Sequence, residues 1–204
     1  MIVEMRTYSY RPGTVPEALA RIERGLPERT TLSPLGALWY TDVGRLHQII
    51  HLWPFANLVE RERVRAGFAG LKNWPARTGE LMVESENIVL QAASFSPPLT
   101  PRQIGPLFEI CTDVVKPNGL KRLNELWQPL IEARMALSPL VGAWTSEFGP
   151  MNRWIHIWAY RSFEHRLEVR AGAAKQGWPP PGIEDLVTRQ DSVICFPANF
   201  SPIR

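Results

Sequence analysis

The sequence predicts an α+β fold: two ferredoxin-like β-α-β-β-α-β repeats packed sheet to sheet as a dimeric α/β barrel within one chain. Three observations predict it. The chain is a tandem duplication, both copies carry the same order of strand and helix signals, and each copy yields a sheet with helices on one face only. Such a sheet must cover its other face, and a second copy is the cover at hand.

The duplication is read directly. Leu-Ser-Pro-Leu occurs at 32–35 and again at 137–140, an offset of 105 residues. The same offset carries Trp39 onto Trp144, Gly44 onto Gly149, His51 onto His156 and Trp53 onto Trp158, then Arg61 onto Arg166 and 64–67 onto 169–172. Between Leu32 and Gly67, 14 of 36 positions are identical, where unrelated segments share about two. Glu4/Glu109, Arg29/Arg134 and Phe95-Ser96-Pro97/Phe200-Ser201-Pro202 keep the offset, and Trp74/Trp178 pair after a one-residue shift. The boundaries follow: repeat one over 1–96, repeat two over 107–204, and a Pro-rich, semi-rigid linker over 97–106.

Each element has a local reason. Val3 to Tyr10 and Phe108 to Val115 alternate and are rich in β-formers, so each opens its copy as a strand. Pro12-Gly13 turns the chain, and Thr14-Val15-Pro16-Glu17 reads as a capping box starting a helix over 14–30. Val15, Leu19, Ile22 and Leu26 define its apolar face; Leu120, Leu123, Leu126, Trp127, Leu130 and Ile131 define the equivalent face in copy two. Leu35 to Asp42 and Leu46 to Trp53 form a hairpin turning at 43–45. Asn57 and Ser162 cap second helices reaching Gly67 and Gly172. Strands over 87–93 and 192–198 close the copies.

Composition excludes several classes. With 204 residues and 45% hydrophobic content, the chain can bury a sizeable core. Twenty-three Lys and Arg sit among 20 Asp and Glu with no long run of one sign, so nucleic acid is not an expected partner. No apolar run approaches membrane-span length, and the charged N-terminus lacks a signal peptide's apolar block. A cytoplasmic protein is the expectation. Cys111 and Cys195 cannot build a disulfide framework and are expected as buried thiols. No Gly-rich phosphate loop is present, and no cofactor is expected. His47 and His51 lie four residues apart on a strand, roughly 13 Å, too far to share one ion, so no metal is expected.

Alternation sorts the third strand into Gln48, Ile50 and Leu52 against His47, Ile49, His51 and Trp53. Copy two gives Arg153, Ile155 and Ile157 against Asn152, Trp154, His156 and Trp158. The aliphatic set is expected under the helices, and the His/Asn/Trp set, with Glu4, Arg6 and Tyr8, inside the barrel. That makes the interior a ligand pocket. His51 and His156 are the candidate acid/base or hydrogen-bond groups and Trp53 and Trp158 its walls. Arg6 and Asn152 are candidates to hold a carboxylate or carbonyl, with His47 beside them. The repeated Arg61 and Arg65 read as a solvated or salt-bridged helix face.

The motifs E-x-R-T-Y-x-x-x-P-G at 4–13, L-S-P-L at 32–35, W-Y-T-D-V-G at 39–44, H-L-W-P-F at 51–55 and R-x-x-V-R-A at 61–66 resemble the NIPSNAP domain. Copy two repeats them as W-T-S-E-F-G, H-I-W-A-Y and R-x-x-V-R-A, departing from the pattern at Cys111, Asp113 and Val114. The resemblance implies the dimeric α/β-barrel superfamily, whose members include cofactor-free monooxygenases, haem-degrading enzymes, lactone isomerases and binding-only proteins. Fold alone does not choose among these. Two functions stay open: a protein binding a small apolar or aromatic molecule in the barrel, monooxygenase- or isomerase-like, or a non-catalytic scaffold whose repeated Trp and His pack the intersheet core. A small-molecule ligand and a further homo-oligomer are the partners considered.

Overall fold

A computed structural model describes residues 1–204. Repeat one runs β1 (Ile2–Tyr10), α1 (Val15–Thr30), β2 (Ala37–Val43), β3 (Gln48–Phe55), α2 (Leu58–Ala66) and β4 (Met82–Ala92). Repeat two runs β5 (Leu107–Val115), α3 (Leu120–Trp127), α4 (Ile131–Leu137), β6 (Leu140–Phe148), β7 (Arg153–Tyr160), α5 (Phe163–Lys175) and β8 (Val187–Pro197). No helix is long and apolar enough to cross a membrane.

The eight strands form one closed barrel in the order β1-β3-β2-β8-β5-β7-β6-β4. Within each repeat the order is that of the split β-α-β unit. Closure comes from the antiparallel pairs β2–β8 and β4–β6, each joining one repeat to the other. Ser201 and Ser96 seal these seams crosswise: Ser201 accepts the Leu38 N–H at 2.9 Å, and Ser96 accepts the Ala143 N–H at 3.0 Å. The repeated Phe-Ser-Pro is thus a cap that each copy lends the other. The linker also takes part, since Arg102 bridges Ile203 in parallel and Leu99 enters the core.

Both faces of the barrel wall are buried, and the sequence-based face assignment is inverted. Ile50, Leu52, Ile155 and Ile157 point inward, joining Val3, Trp39, Phe108, Trp144 and Cys195 in one apolar core drawn from both repeats. Ile49 and Trp53 pack instead with Ile22 and Val64 under α1 and α2, and Trp154 and Trp158 with Leu123, Trp127 and Val169 under α3 and α5. The reason is that an eight-stranded interior is closed to water and small enough to be filled by side chains, so aliphatic residues go there. Polar strand residues can be satisfied on the helix side, where helix arginines reach them.

Two local expectations also change. Thr14 does not close a capping box; its hydroxyl donates to the Arg11 carbonyl at 2.7 Å. The first helix of copy two is not continuous, because Pro129 follows the end of α3 and the chain restarts as α4. In copy one the same stretch stays helical across Gly25, against which the Asn73 carbonyl packs so closely that a Cβ would lie 2.5 Å from it. Copy two has Leu130 there. Asn57 and Ser162 cap α2 and α5 as expected, accepting the N–H groups of Glu60 and His165.

Candidate functional site

The helix-facing side of each half-barrel carries one framework, built twice. Arg29 on α1 is buried, bonds Ser33 Oγ at 2.9 Å and lies 3.9 Å above the Trp53 ring. Arg134 on α4 repeats this with Ser138 at 2.8 Å and Trp158 at 3.8 Å. The Ser of each Leu-Ser-Pro-Leu therefore holds a buried guanidinium on a tryptophan face, an arrangement favoured where water is excluded. Burial pulls Arg29 down to about 10 and lowers Arg134 as well.

Below each arginine lies a buried glutamate. Glu4 meets Arg61 at 2.8 Å and Arg65 at 3.5 Å; Glu109 meets Arg166 at 2.5 Å and Arg170 at 3.2 Å. The repeated R-x-x-V-R-A thus reaches down from its helix to a strand carboxylate, the salt-bridged of the two alternatives its spacing allowed. Burial opposes the Glu109 charge, but Arg166, Ser192 and Arg170 outweigh it and hold the carboxyl below its usual range.

In repeat one the space above this framework is closed. Arg6 bonds Glu4 at 2.9 Å and the Tyr8 hydroxyl at 2.8 Å, and Phe68 lies 4.7 Å from Arg29. What is left among Arg6, Trp53, Phe68 and Trp74 is a void of about 10 Å³, too small for a ligand. His51 is sealed beneath, its ring 5.3 Å from Tyr8 and its Nε2 without a partner. Burial, reinforced by Arg6 and Arg29, pushes it down to about 3, so it is neutral.

Repeat two departs at the residues that do the closing. Cys111 stands for Arg6, Asp113 for Tyr8 and Ala173 for Phe68, while Trp127 replaces Ile22. A cavity of about 370 Å³ opens there, walled by Trp127, Trp158 and Trp178 and floored by Cys111, Asp113 and His156. Other surface recesses of 310 to 420 Å³ occur, but none is lined by a buried titratable side chain. His156 Nδ1 accepts the Trp158 indole N–H at 2.8 Å, which puts the ring proton on Nε2, 3.5 Å from Asp113 Oδ2. Asp113 Oδ1 accepts from Gln190 at 2.9 Å, and its Oδ2 has no hydrogen bond. Burial alone would lower His156; the Cys111 sulfur and Asp113 reverse that and push it up to about 9.

The seven candidate residues therefore separate. His156 and Trp158 line the open cavity. Trp53 and Arg6 border the small void of repeat one, and His51 is enclosed beside them. All five lie on the helix side, not inside the barrel. His47 and Asn152 belong to neither space. They are one repeated position with left-handed backbone, φ 59° and 55°, whose carbonyls accept the Tyr10 and Val115 N–H groups at 2.8 and 2.9 Å. Their common task is a turn, and Asn suits it because it tolerates this conformation. Sequence reasoning missed Glu109, Arg134, Asp113, Trp127 and Trp178 as site residues. The available signal was divergence within the duplication: Cys111, Asp113 and Trp127 are where the copies differ.

A sequence model for NIPSNAP matches residues 3–97 and again 108–202. The human protein NipSnap homolog 3B is 23% identical over 215 residues, spanning 98% of this chain and 85% of that protein. Among solved structures, a monooxygenase candidate from Lactobacillus acidophilus superposes with a TM-score of 0.67 at 12% identity, covering 95% of this chain and 92% of its own. An anthrone oxidase-like protein gives 0.63 at 10% identity over 98% of this chain and 93% of its own. At such identities the likeness is one of fold: a barrel of ferredoxin-like halves.

Proposed function

The chain belongs to the NIPSNAP family, and from that premise we propose that its second repeat binds a small flat organic molecule between the barrel wall and helices α3 and α5. The His156–Asp113 pair exchanges a proton with it. The observation that carries this reading is a cavity of ligand size with a buried histidine–carboxylate pair on its floor and three tryptophans for walls. One ring nitrogen of His156 accepts from Trp158 and the other carries its proton, so the group free to take a proton is Asp113 Oδ2, with His156 beside it stabilising the charge. Its proton would come from an activated C–H or O–H group, the shared first step of isomerisation and of cofactor-free oxygenation. The names of the two fold neighbours favour the oxidative branch.

The filled barrel interior and the closed first repeat favour a second reading, a non-catalytic interaction protein. One titration separates the two. A panel of phenols and naphthols, followed by tryptophan fluorescence, is expected to quench emission from the cavity walls in the native chain. Cys111→Arg, which gives repeat two the residue that closes repeat one, is expected to abolish quenching while the chain stays folded. If no compound quenches, or if Cys111→Arg leaves quenching intact, the interaction protein is the better reading.

A further inference from the structure

The duplication places a reference next to the open cavity. Repeat one holds a guanidinium, that of Arg6, bonded to a strand carboxylate (Glu4, 2.9 Å) and to the residue two further along the strand (Tyr8, 2.8 Å). Strands β1 and β5 share their register with β3 and β7, since Arg6 faces His51 as Cys111 faces His156. Repeat two therefore lacks a cationic side chain at the equivalent place and has Cys111 instead. Meanwhile the hydroxyl of Tyr8 has become a carboxylate, Asp113.

The charges around the vacated place are unevenly used. Both Glu109 oxygens are engaged, by Arg166, Arg170 and Ser192 on one and by Tyr160 on the other. Arg134 is taken up by Ser138 and Tyr160, and Arg170 by Glu109. Asp191 pairs with Arg189 in solvent. Asp113 is 1% exposed and lines the cavity; its Oδ2 carries no hydrogen bond, the nearest donor being His156 Nε2, 3.5 Å away, which leaves the cavity side of the carboxylate open. A buried acceptor without a donor costs free energy that a ligand's N–H can recover. Around it stand Trp127, Trp158 and Trp178, ring faces and edges of the kind that surround bound organic cations.

We infer that the second repeat's cavity recognises a cationic nitrogen group, an amidinium, guanidinium or ammonium carried on a flat apolar body, seated where the first repeat holds Arg6. The inference rests on the cavity being a ligand site, as proposed above. Asp113 receives the cationic N–H groups, and the tryptophans take the apolar body.

Calorimetry on the full chain at neutral pH tests this with three probes of one shape: benzamidine, benzoate and benzyl alcohol. Benzamidine is expected to bind at least about tenfold more tightly than the other two, the order of one charge-assisted hydrogen bond. Asp113→Asn is expected to erase that preference. Cys111→Arg, which tethers a guanidinium in the site, is expected to raise the melting temperature above that of Cys111→Met, which adds bulk without charge, and to exclude benzamidine. Equal or tighter binding of benzoate or benzyl alcohol overturns the cation preference and leaves the ligand-site reading standing. Failure of all three to bind also overturns it, and the fluorescence panel then decides the ligand-site reading by itself.

Discussion

The outer faces of β1 and β5 began as one surface and now do opposite things. Each keeps the glutamate, the two helix arginines that cover it and the arginine stacked on tryptophan. In repeat one Arg6, Tyr8 and Phe68 complete the packing, and His51 lies neutral and enclosed. In repeat two Cys111 and Asp113 line a cavity of about 370 Å³, and the equivalent histidine is drawn toward protonation. The lesson is that the shared framework is kept in both halves and the divergent residues decide whether the space above it is filled or open. A pair of identical chains would carry two identical sites; joining the copies let one site close while the other opened.

The largest effect is expected where the halves still agree. Glu4→Ala and Glu109→Ala each strand arginines beside a buried void, and each is expected to destabilise the chain by about 3 kcal/mol, the low end for breaking a buried ion pair because the arginines are partly exposed. Urea unfolding of the two variants checks this. A large loss in one repeat and none in the other would break the idea of a shared framework.

A middle-sized effect distinguishes the histidines by pH. His51 is held down to about 3 in the fold, against an ordinary value near 6.5. Its contribution to stability is complete above pH 6.5 and lost as pH falls toward 3. His156 is held up to about 9. Its contribution is complete below pH 6.5 and lost as pH rises through 9. The slope for either group is at most about 1.4 kcal/mol per pH unit. Unfolding at pH 5, 7 and 9 is expected to show His51→Leu flattening the acid limb and His156→Leu the alkaline limb. The reverse assignment would mean that the two environments have been misjudged.

The smallest effect tests symmetry alone. Asn57→Ala and Ser162→Ala remove matched helix caps and are each expected to cost about 1 kcal/mol, equally in both repeats by thermal unfolding.

Much of this was legible in the sequence because duplication doubles every signal. Element order, the hairpins, the caps at Asn57 and Ser162 and the need of each half for the other all followed from matched positions. The face assignment was not legible, and the reason is physical. Alternation tells two faces apart but does not say which is inside when both are buried, as in a barrel wall covered by helices. Ile50 and Ile49 are equally apolar, and only the closed ring of strands decides that Ile50 goes inward. The site suffered the same way. His51 and His156 look equivalent at the offset, and their difference lies in side chains on the neighbouring strand, Arg6 and Tyr8 against Cys111 and Asp113, and on the first helix, Ile22 against Trp127. His47 and Asn152 attracted attention as polar pairs, yet they are joined by backbone conformation, which side-chain chemistry does not reveal.

The seams closed by Ser96 and Ser201 carry a consequence for chain connectivity. The path from the end of β4 to the start of β5 is spanned by residues 93–106, and the pseudo-twofold relation makes the path from the end of β8 to the start of β1 its equivalent. Ile203, Arg204 and Met1 already supply three of the nine residues that correspond to 98–106, so about six added residues would join Arg204 to Met1, and the backbone could then be cut between the exposed Thr100 and Pro101. Such a circular permutation keeps the core contact of Leu99 and the Arg102–Ile203 bridge within the fold, and it is expected to exchange the repeats' order while the cavity stays where Cys111 and Asp113 put it.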